Sequence, residues 1–144
     1  MRTGAVITAA VPFVWLGMVL AVSFLEAPLK FRAPGITVSL GLGIGRLVFR
    51  ALNAAEIALA ALLAAAGAAA GMPGGAWLLF VGLAGLLALQ VLLLRPRLDR
   101  RASAILAGQT PPPSRQHLTY IALEVAKVLA LLALGVSLAT AVPS

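Results

Sequence analysis

Residues 47–94 read LVFRALNAAEIALAALLAAAGAAAGMPGGAWLLFVGLAGLLALQVLLL. Two apolar runs, Leu47 to Gly71 and Gly75 to Leu94, are parted only by Gly71-Met72-Pro73-Gly74-Gly75. Each run has about the 20 residues a helix needs to cross a hydrocarbon core. Glycine and proline end the first and allow a tight uncharged turn, so the stretch predicts a transmembrane helical hairpin. Two more runs of that length lie outward, Gly4 to Leu25 and Leu118 to Val142. The reading is an all-α integral membrane four-helix bundle forming one domain, with helices about 4–25, 47–71, 75–94 and 118–142. Pro12 lies inside the first run and should kink it. That run is too long for a cleaved leader, whose apolar part has about 7–15 residues.

Composition agrees. Sixty-two per cent of the 144 residues are hydrophobic and 10% are charged, against about 45–50% and about 25% in soluble domains. Lipid must therefore solvate much of the chain. A net charge of +7 would point to nucleic acid in a soluble protein. Here the cations sit between apolar runs and do not interleave with aromatics, so nucleic-acid binding is set aside. The absence of cysteine excludes disulfides, thiolate catalysis and iron–sulfur clusters. Arginine-rich, alanine- and leucine-rich usage suggests a GC-rich bacterial genome and hence a bacterial cytoplasmic membrane.

The loops set orientation. The two long linkers carry Lys30, Arg32, Arg46, Arg50, Arg95, Arg97, Arg100, Arg101 and Arg115, while the opposite side carries Arg2. Positive loops stay in the cytoplasm, which predicts both termini outside. The apolar residues from Ile36 to Ile44 either lie along the interface or extend helix two backwards. Arg97 to Leu106 suggests a short surface helix, and Pro111-Pro112-Pro113 an extended segment. The nine cations are candidate contacts for anionic headgroups or a protein partner.

Polar groups within the runs are the anomaly, since a charge at the centre of a membrane helix costs about 2.5–3.5 kcal/mol. Asn53 and Glu56 interrupt helix two, Gln90 helix three, and Tyr120, Glu124 and Lys127 helix four. His117, Tyr120, Glu124 and Lys127 fall within an arc of about 80°, and Arg46, Arg50, Asn53 and Glu56 within about 120°. Helices two and four are expected to pack with these stripes facing each other. Glu124 and Lys127 can pair at i,i+3, which leaves Glu56 as a surplus carboxylate. The six residues Asn53, Glu56, Gln90, Tyr120, Glu124 and Lys127 form either packing glue, worth about 0.6 kcal/mol per contact, or an ion, proton or substrate site.

Other features are weaker. His117 is the lone histidine, the three methionines are scattered, and the one aspartate, Asp99, lies among arginines. No catalytic constellation, cofactor motif or metal-ligand spacing emerges. Gly41-x-Gly43-x-Gly45 has the spacing of close helix approach, but 14 glycines make such spacings common. Trp77 reads as an outer-interface anchor.

Gly17 to Phe24, then Ala27-Pro28 and Phe31-Arg32, with Pro96 after helix three and His117 before helix four, resembles the small four-helix proteins related to transmembrane protein 205. The resemblance touches about a third of the chain. It implies a four-helix membrane fold and an association with metal-drug and copper tolerance, a role that usually favours sulfur ligands. Four helices in this length also resemble small multidrug exporters, whose essential glutamate lies in helix one; here helix one is uncharged before Glu26.

Two functional classes follow: a small proton- or cation-coupled transporter using Glu56, or an accessory or assembly subunit whose basic loops dock a partner or anionic lipid. Either is expected to work as a homo-oligomer or within a membrane complex. The orientation is directly testable. Reporter fusions after Ser144 and at Gly74 should report the outside, and fusions near Pro112 the cytoplasm; the reverse pattern refutes the cation count as a guide.

Overall fold

The computed structural model describes residues 2–142. Four long helices account for almost all of it: α1 (Thr3–Arg32), α2 (Val38–Ala70), α3 (Gly74–Leu106) and α4 (Gln116–Ala141). The membrane bundle expected from the apolar runs is present, and no strand occurs among the described residues. Its surface is inverted relative to a soluble protein. Leu78 is 77% exposed and Leu92 71%, while Lys127 and Glu56 are fully buried. Only a hydrocarbon solvent makes that arrangement favourable.

Three helices are longer than their apolar runs. Of the two courses open to residues 36–44, the structure takes the backward extension of helix two. Thr37 starts α2 in an extended conformation, its hydroxyl accepting the Leu40 N–H at 3.0 Å, an N-cap that satisfies one free donor. At 33 residues, α2 and α3 each reach roughly 50 Å, well beyond the ~30 Å core. The basic ends must therefore project past the hydrocarbon. The separate surface helix expected at Arg97–Leu106 is corrected: this segment continues α3 without a break.

Continuity is achieved through two π-helical turns, Leu20–Glu26 in α1 and Gln90–Leu94 in α3. In each, the closing N–H reaches five residues back, Ala27 to the Val22 carbonyl and Arg95 to the Gln90 carbonyl. In each, the next residue is proline, Pro28 or Pro96. A proline ring clashes with the carbonyl four residues earlier and offers no N–H. A widened turn immediately before it relieves that clash and lets the helix run on. α1 also runs helically through Pro12.

The helices stand in a ring in chain order. α1 packs closely on α2 and α4, α3 packs on α4, and the basic end of α3 closes the ring against α2. Helices α2 and α4 are thus diagonal partners rather than packed neighbours, which corrects the expected direct packing. Their polar stripes meet by side chains reaching across the centre. Toward the end away from the arginines, Val11, Leu63, Leu83, Leu131, Leu134 and Leu138 fill the interior.

Glycine permits the close approaches. Gly71 ends α2 at φ 76° and its neighbour Met72 donates to the Gly67 carbonyl at 2.8 Å. On α4, a Cβ at Gly135 would lie within 2.9–3.1 Å of the Phe13 ring of α1, whereas at Gly82 on α3 it would meet nothing within 4 Å. Apolar burial drives helix association little in lipid, so such contacts matter. Gly135→Leu should therefore cost about 1–3 kcal/mol by overpacking and lower the thermal midpoint in detergent. Gly82→Leu, facing open space, should leave it unchanged; equal effects would mean the α1–α4 contact is not close.

Candidate functional site

Five buried side chains converge where the four helices surround one point. Lys127 of α4 stands between two carboxylates, its Nζ 2.5 Å from Glu56 Oε2 and 2.7 Å from Glu124 Oε1. The Trp15 indole N–H of α1 donates to the same Glu56 Oε2 at 2.7 Å. The Gln90 amide of α3 donates to Glu124 Oε1 at 2.7 Å, and the Ser23 hydroxyl of α1 donates to Glu124 Oε2 at 2.5 Å. Trp15, Glu56, Gln90 and Lys127 are fully buried and Glu124 nearly so.

Helix geometry explains the meeting. Glu56 and Lys127 each stand roughly 21 Å from the far ends of their helices, Ala70 and Ala141, at 1.5 Å per residue. Both side chains are long enough to span the ring's diagonal. The π turns supply two of the other three contacts, since Ser23 lies within one and Gln90 opens the other. Such turns shift the helical phase and recur at functional sites.

The two carboxylates differ. Both Glu124 oxygens accept hydrogen bonds. Glu56 Oε2 accepts two, while its Oε1 is buried without a partner among the described residues. One ammonium serves two carboxyl groups, so with all three ionised the cluster carries a surplus negative charge. One proton or one small cation at Glu56 would neutralise it.

Towards the arginine-rich end, a cavity of about 610 Å³ opens between the ends of all four helices. Ser23 and Tyr120 line its inner end, so the Glu124 partner Ser23 belongs to both cluster and cavity. The Arg95 guanidinium lies 4.6 Å from the ring centroids of both Phe49 and Tyr120, a cation–π clamp. Lys30 sits 5.5 Å from the Phe31 ring and 5.9 Å from the Phe49 ring, and pairs with Glu26 at 3.8 Å. Gly41 and Gly45 make this possible: a Cβ at the first would strike the Phe31 ring, and at the second would come within 2.8 Å of Lys30 Nζ. The glycine spacing on helix two thus has a structural use.

The expected residues divide accordingly. Glu56, Gln90, Glu124 and Lys127 come together, with Gln90 on Glu124 rather than Glu56. Tyr120 is buried against Arg95 in the cavity wall, and its hydroxyl has no partner among the described residues. Asn53 is buried, with its Oδ1 likewise unpartnered. Of the nine loop cations, Lys30, Arg46, Arg95 and Arg101 line the cavity, while Arg32, Arg50, Arg97, Arg100 and Arg115 are exposed. Arg50 therefore leaves the stripe it was expected to share with Glu56. Trp77, half-buried at the start of α3, packs edge-on against Phe80 at 5.6 Å.

Sequence reasoning missed Trp15 and Ser23. A signal existed for the first: tryptophan prefers the interface, and one deep in an apolar run needs a partner for its N–H. Ser23 gave none, because its role depends on the π turn.

Removing Lys127 should expose the balance of this cluster. Lys127→Met leaves two buried carboxylates uncompensated and should cost about 3–5 kcal/mol. Adding Glu56→Gln should recover much of that loss in detergent melting experiments. Simple additivity of the two changes would show that the residues do not interact.

Comparison with protein-family models, curated proteins and solved structures finds no match to this chain.

Proposed function

We propose that the chain is a small proton- or cation-coupled transporter of a bacterial cytoplasmic membrane, with both termini outside and Glu56 as the coupling group. The observation that carries this reading is the unequal treatment of the carboxylates. Both Glu124 oxygens accept hydrogen bonds, whereas one buried Glu56 oxygen beside the shared Lys127 has no partner among the described residues. A group that must gain and lose a proton or ion needs a vacant acceptor; a purely structural carboxylate does better with every acceptor filled.

One-sided access supports the same reading. The cluster adjoins the 610 Å³ cavity through Ser23 on the basic, cytoplasmic side. On the other side it is backed by the fully buried Leu63, Leu83, Leu131 and Leu134. An arrangement open to one face and plugged toward the other suits one end of an alternating-access cycle. Intramembrane ionisable residues commonly mark such pathways.

The second reading, an accessory or assembly subunit, is favoured by the five exposed arginines gathered at one end. It leaves the unfilled oxygen of Glu56 without a purpose. The resemblance to the proteins related to transmembrane protein 205 supports the four-helix layout and not the coupling role.

Glu56→Gln separates the readings, because glutamine keeps the shape and hydrogen bonding but cannot ionise. We expect the variant to melt within a few degrees of the wild type and to lose pH-gradient-driven flux in reconstituted vesicles. Infrared titration should also lose a pH-dependent carboxyl band in the variant. A stable, fully active glutamine variant sinks the coupling role and leaves a structural network.

A further inference from the structure

We infer that the cavity at the basic end is a binding site for an amphipathic anion, an acidic head carried on a hydrocarbon chain. The inference deepens the transport reading by naming a substrate class, and it rests on that reading only for the step from ligand to substrate. Binding itself needs no proton cycle.

Charge comes first. Lys30, Arg46, Arg95 and Arg101 line the cavity with His117, against Asp99 as the lining carboxylate. The interior is therefore strongly cationic where four helix ends meet. These four cations are set apart from the five exposed arginines, so they are not simply part of a solvated basic face. All four are part-buried; Lys30 faces Glu26 and Arg95 faces Asp99, each at 3.8 Å, which leaves Arg46 and Arg101 without a carboxylate partner among the described residues.

Pre-organisation is the second observation. Arg95 lies 4.6 Å from the ring centroids of both Phe49 and Tyr120, and these two rings meet edge to face at 5.8 Å. The two cation–π contacts hold the guanidinium in place. Buried Arg95 Nε and the Tyr120 hydroxyl are both donors without a partner among the described residues. The Asp99 carboxylate approaches Arg95 only to 3.8 Å, beyond hydrogen-bond range. A donor on the buried Tyr120 and one on the part-buried Arg95 beside it suit a carboxylate or phosphate head.

The rest of the wall is apolar. Phe24, Leu42, Leu98, Ile105 and Ile121 contribute to it. A small inorganic anion would leave these surfaces unused, whereas a hydrocarbon chain would cover them. The site also lies at the right level. Ser23, at its inner end, is roughly 30 Å along α1 from Thr3, the thickness of the hydrocarbon core. The cations beyond it thus sit at headgroup height, where amphipathic anions partition. Cavity size agrees, since small-molecule sites typically span about 300–1,000 Å³.

The test is binding to the intact protein in phosphatidylcholine nanodiscs, followed by isothermal titration with dodecyl phosphate. Saturable binding is expected, weakened roughly tenfold or more by Arg46→Gln and by Arg95→Gln. Should Arg95→Gln disturb folding, Arg46→Gln and the cavity-filling Ile121→Trp carry the same comparison. The exposed pair Arg97→Gln with Arg100→Gln should bind as the wild type does. Equal weakening by the exposed pair, or inorganic phosphate binding as tightly as dodecyl phosphate, overturns the inference. A second set of discs containing phosphatidylglycerol distinguishes the source of the anion: competition identifies a membrane lipid, its absence a free single-chain anion, and both support the shared chemistry. Glu56→Gln should retain binding, so binding without coupled flux defeats the transport reading alone, and flux without saturable binding defeats this one alone.

Discussion

Lys127 bridging Glu56 and Glu124 across the middle of the bundle is the interaction on which the other contacts depend. Three ionisable groups buried in hydrocarbon would each be prohibitive alone. Together they are tolerable because the ammonium meets both carboxylates and because α1 and α3 supply three further donors. Those hydrogen bonds hold Trp15, Ser23 and Gln90 inward, which fixes the rotation of α1 and α3 against the α2–α4 diagonal. In lipid, apolar side chains distinguish one helix rotation from another only weakly. The polar centre therefore specifies the arrangement that leucine packing alone would leave degenerate.

The prolines and π turns connect that centre to the basic end. Pro28 and Pro96 each follow a widened turn, and each turn delivers a polar side chain to Glu124. Beyond them, both helices continue as the cavity walls, bringing Lys30 and Arg95 over aromatic rings. A backbone feature that relieves a proline clash thus also aims the site. The cluster and the cavity are joined by the same two turns, so movement in one would be felt in the other.

The two regions also divide the electrostatic work. The inner cluster sets two carboxyl groups around one ammonium in a dry centre, and the cavity gathers cationic side chains at the basic end.

The sequence by itself determined the four spans, the tight hairpin turn at Gly71–Gly75, the segregation of cations to one end and the candidacy of Glu56, Gln90, Glu124 and Lys127. These are readable because apolar length, turn chemistry and intramembrane charge are local properties of the chain. Only the tertiary structure decided that α2 and α4 are diagonal, that Lys127 is shared, that Trp15 and Ser23 complete the site, and that four of the nine loop cations turn inward. Those outcomes depend on ring order and helix phase. Helical periodicity at 100° per residue fails to predict phase once a π turn intervenes, so Ser23 carries no mark in the sequence. Arg46 and Arg50 are four residues apart and look equivalent; one lines the cavity and the other is exposed because the neighbouring helices cover only one of them.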